Sequence, residues 1–185
     1  MDTLLVVALE SELENIDYKH ILYTGIGKVN AAHKLTKYLC ENPEIKKVCN
    51  YGSAGGIDPN RGGLLKCTKF IQGDIDCRAL GTPITHTPYE QRQQLDFNEE
   101  FVDGFTCASF DQFQTTKPSF DTDVVDMEAY ALAKVCYLMD KHFTSYKWVS
   151  DIVGGENQSQ QWKENYQSGQ ELFKMSFKVD YGIEL

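Results

Sequence analysis

An α/β architecture around one central sheet is what this 185-residue chain predicts, and three observations predict it. Runs rich in Val, Ile, Tyr and Phe recur along its length, several of them are continuously apolar, and segments with helical periodicity lie between them. Continuous apolar runs mark strands covered on both faces, and strands that alternate with helices gather those covers around a single sheet. The length suits one domain over residues 1–185, enough chain to bury a sizeable core.

Strands are expected at residues 4–8 (LLVVA), 20–24 (HILYT), 47–51 (KVCNY), 67–71 (CTKFI), 105–109 (FTCAS) and 123–127 (DVVDM), and from residue 146 in YKWVSDIVGG. Helical stripes run through Val29, Ala32, Thr36 and Leu39, then Ala131, Val135, Leu138 and Met139, and lastly Trp162, Tyr166, Gly169, Phe173 and Phe177. Residues 81–104 break the pattern with Pro, Thr and a Gln/Glu-rich tract. They read as a long loop with a short helix, either covering a site or interface or disordered.

Charge and composition exclude several classes. A formal net charge of -9 disfavours nucleic acid and anionic membrane. Lys34, Lys37, Lys46 and Lys47 are interspersed with Glu41 and Glu44, and read as a solvated face. The six cysteines form no C-x-x-C and sit mostly in apolar stretches, as small buried thiols in a reducing cytoplasm would. His20, His33, His86 and His142 are isolated, so neither a metal site nor a cofactor is expected. The first apolar run is short and framed by carboxylates, unlike a secretory signal, and no stretch is long enough to span a bilayer.

The chemistry collects at strand ends. GIGKVNAAHK, from Gly25, has the G-x-G of a dinucleotide fold but Asn30 in place of the third small residue, so a tight strand-to-helix turn accounts for it better. In YGSAGGID the small residues from Gly52 to Gly56 let backbone approach a ligand, and no Lys-Ser/Thr follows to make a P-loop. Glu12 follows the first strand, and Met127 and Glu128 stand at a strand-to-helix junction, where the helix N-terminus favours a carboxylate. Either acid is also an ordinary first-turn residue. Asp151, ending YKWVSD, belongs either to a ligand crevice or to a turn cap. Together, three carboxylates and a small-residue loop are what a neutral polyhydroxylated substrate requires. They offer acceptors for sugar hydroxyls and an acid/base pair for a C–N or C–O bond.

In this order, ALESEL, GIGKVNAA, NYGSAGG, GDIDCRALG, VVDMEAYALAKVC and VSD resemble the successive motifs of the 5′-methylthioadenosine/S-adenosylhomocysteine nucleosidases, within the purine nucleoside phosphorylase superfamily. The resemblance implies a mixed sheet flanked by helices, nucleoside phosphorylase-like, and hydrolysis of the N-glycosidic bond of a 5′-substituted adenosine. It assigns Asp151 as the acid that protonates purine N7 and Glu12 as the base that activates water. Glu128 would bind ribose hydroxyls, Met127 pack on the ribose, and Phe113 stack on the purine. Ser53 and Gly55 belong to the loop lining the site, and Lys147 stands where the family usually has an Arg near the attacking water. A homodimer is implied as well. Two alternatives stay open: a phosphorolytic enzyme, which would need anion donors where this chain has only Arg61, Arg78 and Arg92, and a non-catalytic nucleoside-binding protein.

Overall fold

The structure, a computed structural model, describes residues 2–97 and 104–185. Eight strands appear among them: β1 (Thr3–Val7), β2 (Ile21–Tyr23), β3 (Lys47–Gly56), β4 (Leu64–Gln72), β5 (Gln94–Asp96), β6 (Phe105–Ser109), β7 (Val124–Asp126) and β8 (His142–Ile152). The helices are α1 (Lys28–Glu41), α2 (Ala129–Leu138), α3 (Gln158–Asn165) and α4 (Gln170–Tyr181).

The sheet is mixed. β1 pairs parallel with β2 and β3, and β3 with β8, while β4 runs parallel to β6 and β6 to β7. The two groups meet through antiparallel pairs, β3 with β7 and β4 with β8, and β5 adds to β4 at the edge. Strands β3, β8, β4, β6 and β7 thus close a ring of pairings. β1 shows why its sequence is apolar throughout: Leu4 and Val6 pack with Leu35, Leu39 and Leu132 of α1 and α2, whereas Leu5 and Val7 pack with Phe173 and Phe177 of α4. Alternation sends successive side chains to opposite faces, and both faces are covered.

All seven expected strands form, with four corrections. The Gly-rich stretch 52–56 is the end of β3 rather than a loop, because five residues of β8 pair along it and override the poor strand preference of Gly. Within residues 81–104 lies β5, three residues among polar neighbours, drawn into the sheet by β4, and among the described residues no helix forms there. The part of that loop from 98 to 103 lies outside the described residues. The last helical stripe is two helices, since the turn before α4 brings Gly169 against the Trp148 ring, 2.6 Å from where a Cβ would stand. Finally, α1 buries Ala31, Leu35 and Leu39, leaving Val29 exposed, and Leu138 of α2 faces out.

Candidate active site

The carboxyl ends of β1, β3, β6, β7 and β8 converge on a cavity of about 320 Å³, within the range of small-molecule sites. Glu12, Ser53, Gly55, Phe113, Met127, Glu128 and Asp151 all line it. Residues from five strand ends, far apart in sequence, are therefore gathered in one place.

Glu12 is reached by a 3-10 turn, Glu10–Glu12, directly after β1. One carboxylate oxygen accepts both the Ser53 N–H at 2.9 Å and the Ser53 hydroxyl at 2.8 Å; the other accepts the Leu9 N–H at 3.2 Å. Three donors on a buried carboxylate hold it in one orientation. Gly52 lies between the two side chains of Glu12 and Lys147: a Cβ there would stand 3.5 Å from both Glu12 Oε1 and Lys147 Nζ, in ordinary contact.

Asp151 closes β8 beside an irregularity in the pairing with β3, where Ala54 faces Val149 and Gly55 faces Asp151, so Ser150 is passed over. A bulge of this kind re-aims side chains and recurs near active sites. Both carboxylate oxygens are engaged: Oδ1 lies 2.6 Å from the Ser150 hydroxyl, and Oδ2 accepts from the Gln158 amide at 2.8 Å. A Cβ on Gly55 would lie 2.8 Å from Val153 and 3.2 Å from Asp151 Oδ2, so only Gly leaves room for that carboxylate.

Glu128, at the start of α2, accepts the Gly27 N–H at 2.8 Å. Gly27 has φ 95°, a left-handed conformation that turns its amide to the carboxylate, which gives the GIGK turn a role within the site. Burial and the negative charge of Asp126 push the Glu128 carboxyl up to about 8; Lys147 and the Gly27 N–H offset only part of this.

Lys147 departs from expectation. It does not line the cavity but lies beneath it, with its side chain and that of Asp126 2% and 1% exposed and 2.8 Å apart. Burial alone would neutralise both. For Asp126 burial is outweighed by Lys147, the Ser109 hydroxyl and the Ala129 N–H, which hold the acid below the ordinary carboxylate value; Asp126 in turn holds the lysine above its own. The ammonium is thus committed to Asp126, one of the four carboxylates that line the cavity.

Three partners escaped sequence reading. Asp126 lay inside a quoted strand, but only the fold brings β8 across to it. Gln158 sits in a polar tract, ENQSQQ, that carries no periodic signal. Trp162, which the helical stripe assigns to packing, lines the cavity, donates its indole N–H to the Ser53 hydroxyl at 3.1 Å, and meets Phe113 edge-on with centroids 6.4 Å apart. Arg61 and Arg78 pair with Asp123 and Asp76, and Arg92 lies over the Tyr137 ring. Among the described residues no Arg or Lys lines the cavity, and no group of three or more His, Cys, Asp or Glu has the arrangement to hold a metal.

A mixed sheet flanked by helices, with a cavity at its strand ends, is the α/β fold of the nucleoside phosphorylase-like class. Comparison with known proteins gives the family. The model of the Phosphorylase superfamily matches residues 17–178. A 5′-methylthioadenosine/S-adenosylhomocysteine nucleosidase from Haemophilus ducreyi is 33% identical over 156 residues, which cover 72% of this chain and 67% of that protein. The chain belongs to the phosphorylase superfamily and, within it, to the 5′-methylthioadenosine/S-adenosylhomocysteine nucleosidase family. In fold it is similar to a Helicobacter pylori nucleosidase variant of that name with 5′-methylthioadenosine in the active site, with TM-score 0.81, 18% identity and coverage of 97% of this chain and 98% of the other. A structure named as futalosine hydrolase from Helicobacter pylori gives TM-score 0.81, 18% identity and coverage of 96% and 97%.

Proposed function

We propose that this chain, as a single-domain enzyme, hydrolyses the N-glycosidic bond of a 5′-substituted adenosine of the methylthioadenosine or adenosylhomocysteine type, releasing adenine and the ribose moiety. The observation that carries the reading is a nucleoside-sized cavity lined by four carboxylates and, among the described residues, by no cation. Without an Arg or Lys on that lining phosphate has no cation to hold it, and the site suits a neutral nucleoside attacked by water. The activity named for the relatives supports the same reaction.

In this reading Glu12 takes a proton from water as the water oxygen bonds to C1′. The C1′–N9 bond breaks, and Asp151 gives its proton to N7, so the base leaves as neutral adenine rather than as an anion. The two protons balance, and each carboxyl returns to its starting state by exchange with solvent. Glu128 binds the ribose hydroxyls, Met127 packs on the sugar, Phe113 covers the purine, and Ser53 and Gly55 shape the wall. The ribose becomes oxocarbenium-like in the transition state, where the surrounding carboxylates favour positive charge most. The reading includes a homodimer, as the sequence resemblance implies, and a cytoplasmic location, in keeping with six free thiols.

The test is incubation with methylthioadenosine, adenosylhomocysteine, adenosine and inosine, with and without phosphate, followed by detection of free base. Adenine release that needs no phosphate is expected. Strict phosphate dependence, with ribose 1-phosphate formed, would make the protein a phosphorylase, and binding without turnover would make it a nucleoside-binding protein. Sedimentation of the purified chain tests the dimer.

A further inference from the structure

Gln158 opens α3 seven residues after Asp151, behind Asn157 in the left-handed region at φ 56°, and it is the only buried residue of that helix. Its amide meets three backbone or side-chain groups at once. Nε2 donates to Asp151 Oδ2 at 2.8 Å and to the Gln114 carbonyl at 3.0 Å, while Oε1 accepts the Gly154 N–H at 3.1 Å. Flipping the amide would set oxygen against two acceptors and NH₂ against a donor, so the network admits one orientation. Both amide protons are used.

This has a consequence for the acid. Asp151 Oδ2 is held as an acceptor, so a proton carried in the same geometry belongs on Oδ1, beside the Ser150 hydroxyl. That hydroxyl has one proton and two acceptors in reach, Asp151 Oδ1 at 2.6 Å and the Ala54 carbonyl at 3.3 Å. When Oδ1 is protonated it donates to Ser150 Oγ and Ser150 turns to Ala54; when it is ionised Ser150 turns back. Either state is fully hydrogen-bonded. The third contact, to Gln114, ties the same amide to the segment that carries Phe113 along the cavity wall.

We propose that Gln158 is a positioning residue for leaving-group protonation: it keeps Asp151 Oδ2 as an acceptor, reserves Oδ1 for the transferable proton, and fixes the carboxyl plane against the Gln114 segment. The proposal rests on the nucleosidase reading above. In the reaction the Oδ1 proton passes to N7 as the C1′–N9 bond breaks, and the carboxylate left behind is received by Ser150 on Oδ1 and Gln158 on Oδ2.

The experiment compares two leaving groups on 5-methylthioribose, adenine and p-nitrophenolate, the second of which departs as a stable anion and requires no proton. In Gln158→Met, of similar length but without donor or acceptor, kcat/KM for methylthioadenosine should fall about 10- to 100-fold, the weight of one hydrogen bond to a charged group. Turnover of the nitrophenyl riboside should change less than about threefold, because its leaving group bypasses Asp151. In an Asp151→Asn background, Gln158→Met should add no further loss on methylthioadenosine. Gln158→Glu keeps the shape and should regain activity as pH falls, since a protonated carboxyl can again donate to Oδ2. Equal losses on both substrates, or a further tenfold loss in the Asp151→Asn background, would overturn the proposal and leave Gln158 a structural residue. A wild-type protein inert toward both substrates would instead sink the nucleosidase reading itself, a result read before any variant is made.

Discussion

Replacing Lys147 by Met removes the ammonium beneath the cavity and leaves Asp126 with the Ser109 hydroxyl and the Ala129 N–H as its donors. Unit charges 2.8 Å apart attract by about 6 kcal/mol at an effective dielectric of about 20. Desolvation of both ions cancels part of that in the native pair, but removing one partner exposes the full cost of the other, so the loss should be about 3–5 kcal/mol. For a chain of this length that is a fall in Tm of about 6–20 °C, a large share of the roughly 5–15 kcal/mol that holds a domain folded. Thermal and urea melts measure it. The pH dependence is the sharper part. In the native protein Asp126 is held below the ordinary carboxylate value, so its stabilising contribution is present above the unfolded value and lost only as pH falls through the depressed one. Without the ammonium, burial dominates and the carboxyl takes up a proton more readily than in the unfolded chain, so the deficit should be full near pH 8 and shrink toward pH 5. Adding Asp126→Asn should restore most of the loss. A deficit under about 1 kcal/mol at pH 7.5, as for a solvated pair, or one that does not change with pH, would refute the argument that these charges are buried together.

Glu12→Gln should abolish adenine release in single-turnover assays while leaving methylthioadenosine affinity within a few-fold, because an amide cannot take the proton from water; near-native turnover would place the base elsewhere. Glu128, raised to about 8, holds a proton in the folded protein between its unfolded value and pH 8, so its contribution to stability falls as pH rises through that window. The ionised form accepts ribose hydroxyls better, so nucleoside affinity should strengthen about tenfold from pH 7 to 9, and titration calorimetry should find that dependence absent in Glu128→Gln. Gly55→Ala drives a methyl toward Val153 and Asp151 Oδ2, and should cost about 1–3 kcal/mol in urea melts together with most of the activity; an unimpaired variant would mean that the end of β3 yields freely.

What the sequence made legible was local. Runs such as LLVVA and FTCAS declare strands because β-branched and aromatic side chains fit a pleated, covered surface, and Glu12, Glu128 and Asp151 stand out only together, since each alone is equally an ordinary first-turn or turn-capping acid. Features that depend on a distant partner were hidden. QLD becomes β5 only because β4 offers an edge, and Gly52–Gly56 stays extended only because β8 pairs with it. Lys147 reads as a water-side cation until β8 sets it against Asp126. Gln158 is one of three glutamines in the tract ENQSQQ, and its role exists only once residues 114, 151 and 154 meet around it.

Helix α3 holds Gln158 and Trp162 one turn apart, the first on Asp151 and the second, through the Ser53 hydroxyl, on Glu12. In the proposed mechanism both reacting carboxylates are therefore held in part by one helix of eight residues, of which a single one is buried. A segment so short and so little buried opens at a lower free-energy cost than a sheet packed on both faces. The working temperature of the protein should accordingly be limited by the fraying of α3, with activity lost reversibly several degrees before the sheet unfolds, and hydrogen exchange in residues 158–165 should quicken over the same interval in which turnover declines.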